Sequence, residues 1–198
     1  MKATGTKYSD KFSGFLAVTP NKKFMGLFER ADVHNILISY HYIRKNKSYT
    51  DEILDMIVDR GGLFMTDSGI FSFLNDPEFD HKTFNWHAYV EEYAEWLDQN
   101  KKRIFSALNM DADSFVVFDT IEKWNETYFE PLGKEINMVY GCHQNSLGKG
   151  VLDEVEYYSK KYDYIGVGEK FAKYAGEIYQ KSKVNKCKVH GLAWTWLS

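Results

Sequence analysis

The sequence predicts an α/β protein of parallel strands, with a (β/α) barrel of TIM type as its expected form. Short apolar runs alternate with longer stretches of helical period, the rhythm of strands joined by helical crossovers. Those runs are continuous and do not alternate apolar with polar, so both faces of each strand are expected to be covered. The competing open, doubly wound fold usually carries a G-x-G-x-x-G turn. Here Ile165-Gly166-Val167-Gly168-Glu169-Lys170 has two of those glycines, late in the chain.

Taken in order, Asn35 to Tyr40 reads as a buried strand. Thr50 is placed to cap a helix that carries Ile53, Leu54, Met56 and Ile57. Leu63 to Thr66 is the next strand. Trp86, Tyr89, Val90, Tyr93, Ala94 and Leu97 recur at helical spacing and predict a long amphipathic helix. Ser114 to Phe118, with Val116 and Val117, reads as a strand. Ile121 to Phe129 reads as a helix closed by Pro131 and Gly133. Asn137 to Tyr140 is a strand, Val151 to Tyr162 a helix, Tyr162 to Val167 a strand, Phe171 to Lys181 a helix, and Lys188 to Ala193 a last strand. That makes about six strands where a closed barrel of this type has eight. The expectation is one domain over residues 1–198, an incomplete barrel cut short at its C-terminal end. Uncovered sheet edges then call for a partner chain or a homo-oligomer.

Composition narrows the function. The net charge of −3 over 198 residues does not advertise nucleic-acid binding, which leaves local basic runs such as Lys181 to Lys188 as the only electrostatic candidates. Their ordinary role is a solvated face. Cys142 and Cys187 are too far apart in sequence for a CxxC metal site, and no cofactor or metal is expected. Two cysteines behind a polar, leaderless N-terminus fit a reducing cytoplasm. No run approaches the roughly 18 apolar residues that cross a membrane.

In parallel α/β folds the chemistry gathers at the carboxyl ends of the strands. Those ends carry Tyr40-His41, Asp67-Ser68-Gly69, Asp119-Thr120, His143-Gln144-Asn145, Gly168-Glu169 and Trp194-Thr195. Carboxylates accept from ring N–H and amino groups, and an amide or a backbone N–H donates to a carbonyl. Glycine lets a ring approach the backbone, and aromatics offer stacking faces. The set suits a flat polar heterocycle. Plainer roles stand beside this one. Asp67 and Asp119 each precede a helix and are good caps, His143 is equally suited to a structural role, and Gly166 and Gly168 to a turn.

Four segments together resemble the tRNA-guanine transglycosylases. Phe64 to Leu74, FMTDSGIFSFL, resembles the family's TDSGGFQ-type motif, with Ile70 in place of its second glycine and Ser72 in place of Gln. Asp111 to Ile121, DADSFVVFDTI, resembles a strand ending in a substrate-binding Asp. Met138 to Glu169 resembles the family's Gln-Gly strand, helix and "IGG…VGE" strand, and Val189 to Trp194, VHGLAW, its next strand. The compact form is most similar to the phage and bacterial branch that inserts 7-deazaguanine bases into DNA. The resemblance implies a (β/α)₈ barrel that exchanges guanine for a deazaguanine base on DNA or tRNA. It implies Asp67 as general acid/base, with Ser68 and Gly69 shaping its loop. It implies Asp119 on the guanine N1–H and amino edge, Gln144 at O6, and Gly166, Val167 and Gly168 at the pocket floor; His143 is a further substrate-binding candidate by its place at the strand end.

The family's nucleophilic Asp and zinc ligands lie beyond the segment matched by VHGLAW. Three readings follow: a split or partial transglycosylase, a noncatalytic nucleobase-binding relative, or an enzyme using Asp67, Asp119 or Glu169 as its own nucleophile. A fourth is an unrelated (β/α) hydrolase with Asp67 and Glu169 as acid–base pair.

Overall fold

The computed structural model describes residues 14–21, 26, 33–142 and 150–192. The chain divides into two compact units, Met1–Ala107 with Glu130–Asn137, and Leu108–Phe129 with Met138–Ser198. Both are mixed α/β, and within each the paired strands are parallel and adjacent in chain order.

The first unit contains β1 (Leu16–Val18), β2 (Asn35–Ser39), α1 (Tyr40–Lys45), α2 (Lys47–Asp59), β3 (Leu63–Asp67), α3 (Ile70–Leu74) and α4 (Trp86–Asn100). It also holds the start of β4 (Ser106–Leu108). β2 lies between β1 and β3, and β3 pairs onward with β4. The first four residues of β3 are buried, as its continuous apolar run predicts. Helix α4 buries the expected stripe of Trp86, Tyr89, Val90, Tyr93, Ala94 and Leu97. The Asn85 side chain caps it by accepting from Ala88 N at 3.1 Å. Thr50 is not a cap. Helix α2 starts three residues earlier, and the buried Thr50 hydroxyl donates back to Asn46 O within the helix.

The second unit contains α5 (Phe118–Trp124), a π-helical turn (Asn125–Phe129), most of β5 (Asn137–Cys142), α7 (Val151–Lys161) and β6 (Tyr164–Gly168). A 3₁₀ helix (Glu169–Tyr174), α8 (Ala175–Val184) and β7 (Lys188–Leu192) complete it. The short helix α6 (Glu130–Leu132) belongs to the first unit. β6 pairs with β5 on one side and β7 on the other. The Tyr140 and Tyr162 rings stack 3.5 Å apart, with Tyr158 stacked on Tyr162 in turn.

One expected strand is absent. Phe115 N and Val116 N both donate to Ala112 O, which folds the segment into a turn. Val117 then stands exposed at the N-cap of α5. The β-branched pair favours a strand only where it can pack on a sheet. The strand that does form here is β4, three residues long and fully buried. Among the described residues no helix is long and apolar enough to cross a membrane.

Candidate active site

In the first unit the carboxyl ends of β2 and β3 place Ser39 beside Asp67 as register partners. The Asp67 carboxylate accepts from Gly69 N at 2.8 Å through Oδ1, an Asx turn that swings the chain out of the strand. Gly69 completes it at φ +85° and caps α3. Buried Ser68 presents its carbonyl to the Tyr89 hydroxyl, which donates at 2.7 Å. Burial pushes the Tyr89 phenol well up, so it acts as a neutral donor. Asp67, Ser68 and Gly69 thus lie on one turn, anchored from α4 through Tyr89.

Helix α1 packs against this turn, with His41 close to Gly69. His41 Nε2 lies 2.9 Å from the Lys45 ammonium. An ammonium has no lone pair, so Nε2 accepts and the ring proton sits on Nδ1. Burial, then Lys45 and Arg44, hold the His41 pKa below its ordinary value, so the ring is neutral at physiological pH. Its position is fixed by edge contact with Phe73 at 4.8 Å between centroids. Arg44 forks onto both Glu92 carboxylate oxygens and covers the Tyr89 ring, which ties α1 to α4. The Ser39 hydroxyl is buried and has no hydrogen-bond partner among the described residues. Beyond the turn, Phe71 is 78% exposed. Sequence reasoning missed Phe71. Its only signal is position, an aromatic four residues past the strand-end carboxylate.

The glycine at 69 is structurally required. A Cβ there would lie 2.7 Å from His41 Cβ and 2.8 Å from His41 N, at a left-handed φ. Gly69→Ala is therefore expected to cost about 2 kcal/mol, from left-handed backbone strain plus displacement of α1. A lowered midpoint in urea denaturation checks this, and an unchanged midpoint contradicts it.

In the second unit Gly166 sits on β6 in register with Gly141 and His190. A Cβ at Gly166 would meet Leu192 Cδ1 and Val139 Cγ1 at 3.2 Å and Leu108 Cδ1 at 3.3 Å. Close packing of these three side chains is reason enough for glycine at this position. Val167 is buried, and Gly168 caps the 3₁₀ helix at the strand's end with open space beside it. Asp119 is not at a strand end, contrary to the expectation. It is exposed in the first turn of α5, where the helix dipole favours a carboxylate. His143 and Gln144 lie outside the described residues. Of the four segments that carry the resemblance, Phe64 to Leu74 thus falls in the first unit and the other three in the second.

A buried polar chain in the second unit was not foreseen. Fully buried Asn109 accepts from Gly141 N at 2.9 Å and donates to Asn125 Oδ1 at 2.8 Å. Asn125 donates on to Glu122, which also accepts from Tyr157, Tyr158 and Lys161. Asn125 opens the π-helical turn, so the irregular turn and the polar chain coincide.

Burial lowers the His190 pKa to about 4. A histidine ordinarily near 6.5 is then neutral in the fold and charged when unfolded. Its contribution is complete above pH 6.5 and is lost as pH falls from 6.5 toward 4, about 3 kcal/mol in all. His190→Gln is expected to flatten the stability profile across that window. A profile parallel to that of the native protein would refute the assignment.

No family model, curated protein or solved structure matches the chain. Among the described residues no group of three or more His, Cys, Asp or Glu is placed to hold a metal ion.

Proposed function

We propose that this chain recognises a guanine-type base and exchanges it on a nucleic acid, as a base-recognition part of a transglycosylase with a TIM-type (β/α) barrel plan. The observation that carries the reading is the β3 turn. A carboxylate at the end of a buried strand and an exposed aromatic ring flank a left-handed glycine. Asp67 is suited to pass a proton to and from the base, and Phe71 to stack on its face. In this proposal Ser68 and Gly69 hold the turn that presents Asp67 to the base. Strands that follow chain order within each unit, with no reversal, support a singly wound barrel plan over a doubly wound sheet. Reaching a base inside a duplex requires extruding it first.

The test is incorporation of labelled guanine into DNA and into tRNA, run beside calorimetry with guanine and with the 7-deazaguanine preQ1. Exchange supports the full reading. Binding without exchange moves the assignment to a noncatalytic base-binding protein. Neither binding nor exchange overturns both. Mass measurement in solution addresses the accompanying proposal of a partner chain or homo-oligomer, which a clean monomer would contradict.

A further inference from the structure

We infer that the outward face of α8, with the turn after it, is a track for the sugar–phosphate backbone of a single-stranded polynucleotide. The inference rests on the nucleic-acid reading above and adds a contact to the polymer backbone on the second unit. Between Lys173 and Lys188 the sequence carries five lysines and one carboxylate, Glu177, in a chain of net charge −3; Lys181 is held at 2.7 Å by Glu156 of α7, so Lys173, Lys183, Lys186 and Lys188 are the cations of this surface. Helix α8 buries Ile178 and Ser182, which turns Tyr179, Lys183 and Val184 outward. Tyr179 is 59% exposed and Val184 81% exposed. Tyr179 and Lys183 are one helical turn apart, with the Lys183 ammonium 5.8 Å from the ring centroid. An exposed tyrosine beside a cation is a pairing that can stack an unpaired base and neutralise its phosphate. At the other end of the segment the Lys173 ammonium lies 4.9 Å from the ring centroid of Tyr174, which is partly buried.

Lys186 adds an independent observation. At φ +56° it is the only described non-glycine residue with a positive φ. It follows the helix end at Asn185, where the left-handed conformation ordinarily falls to glycine or asparagine. Its N–H donates to Lys183 O, which closes the turn. A lysine in this conformation carries strain that glycine would relieve, and what it supplies in exchange is a further cation on the turn that follows α8. A purely solvated lysine face gives no reason for that choice. The contact chemistry is sequence-independent: cations for phosphates and a ring for any base.

The experiment is fluorescence anisotropy with a labelled mixed-sequence 20-nucleotide DNA and the RNA of the same sequence, over a range of salt. The native protein is expected to bind with a strong salt dependence. Tyr179→Ala is expected to weaken binding about tenfold. Lys183→Gln and Lys186→Gly are each expected to reduce the slope of log K against log salt by about 0.7. Lys186→Gly is further expected to hold or raise the melting temperature, so weaker binding could not be a folding defect. All three variants are expected to bind free guanine as the native protein does. Unchanged oligonucleotide affinity and slope in the variants, or no oligonucleotide binding by the native protein, would overturn the inference. Loss of guanine binding in the native protein with the α8 effects intact would instead sink the base-exchange reading and leave this surface standing. Preference between the DNA and RNA arms identifies the polymer.

Discussion

Asp67→Asn is expected to leave the protein folded and to lower labelled-guanine exchange by about 10²- to 10⁴-fold. The substitution is chosen for what it keeps. Asn retains an Oδ1 that accepts from Gly69 N, so the Asx turn, the left-handed glycine and the Tyr89 contact to Ser68 persist. It removes only the capacity to take up and return a proton. The melting temperature should therefore move by no more than about 2 °C. Phe71→Ala gives the complementary pattern. An exposed ring contributes little to the core, so stability should hold while affinity for the free base falls about tenfold through lost stacking. Native exchange rates in Asp67→Asn would remove Asp67 from the chemistry and reduce the motif to a turn. Native base affinity in Phe71→Ala would remove the stacking role.

How much of this was legible depended on the kind of signal. Strands β3, β5 and β6 were readable because each is a largely buried run bounded by turn residues, and burial on both faces leaves that pattern in composition; β2, which buries alternate residues, and β7, which is half-buried, were readable only from apolar residues set between turn signals. β4 was not readable, because Ser106, Ala107 and Leu108 make too short a run. Its neighbour Ser114 to Phe118 had the stronger β propensity and still folded into a turn and a helix start. Pairing and packing, not propensity, select the strand. That shift carried Asp119 from an expected strand end to the exposed first turn of α5. At the candidate site, Asp67-Ser68-Gly69 was legible because a carboxylate, a hydroxyl and a glycine interrupt an apolar run. His41 and Ser39 meet that turn across the strand pairing of β2 with β3, a contact between residues nearly thirty positions apart. No local pattern encodes it.

The least legible feature should also be the most costly to break. Asn109→Ala is expected to destabilise the second unit by about 4 kcal/mol. Removing the amide strands two buried groups, the Gly141 N–H that donates to it and the Asn125 Oδ1 that accepts from it. Each buried group left without a partner costs about 1–3 kcal/mol, and the vacated volume adds to that. The effect should propagate, because Asn125 also donates to Glu122, onto which Tyr158 and Lys161 bring helix α7. A double-mutant cycle with Asn125→Ala separates the two contributions. If the chain acts as a unit, the second substitution should add far less than its effect alone, with a coupling of about 1–3 kcal/mol. Additive effects would mean that Asn109 serves β5 and Asn125 serves α5 independently. Asn109→Asp sharpens the test. It keeps the acceptor for Gly141 N, loses the donor to Asn125, and buries a charge among amides and the Glu122 carboxylate. It should therefore be at least as damaging as alanine at neutral pH and recover partly as the pH falls and the new carboxyl protonates.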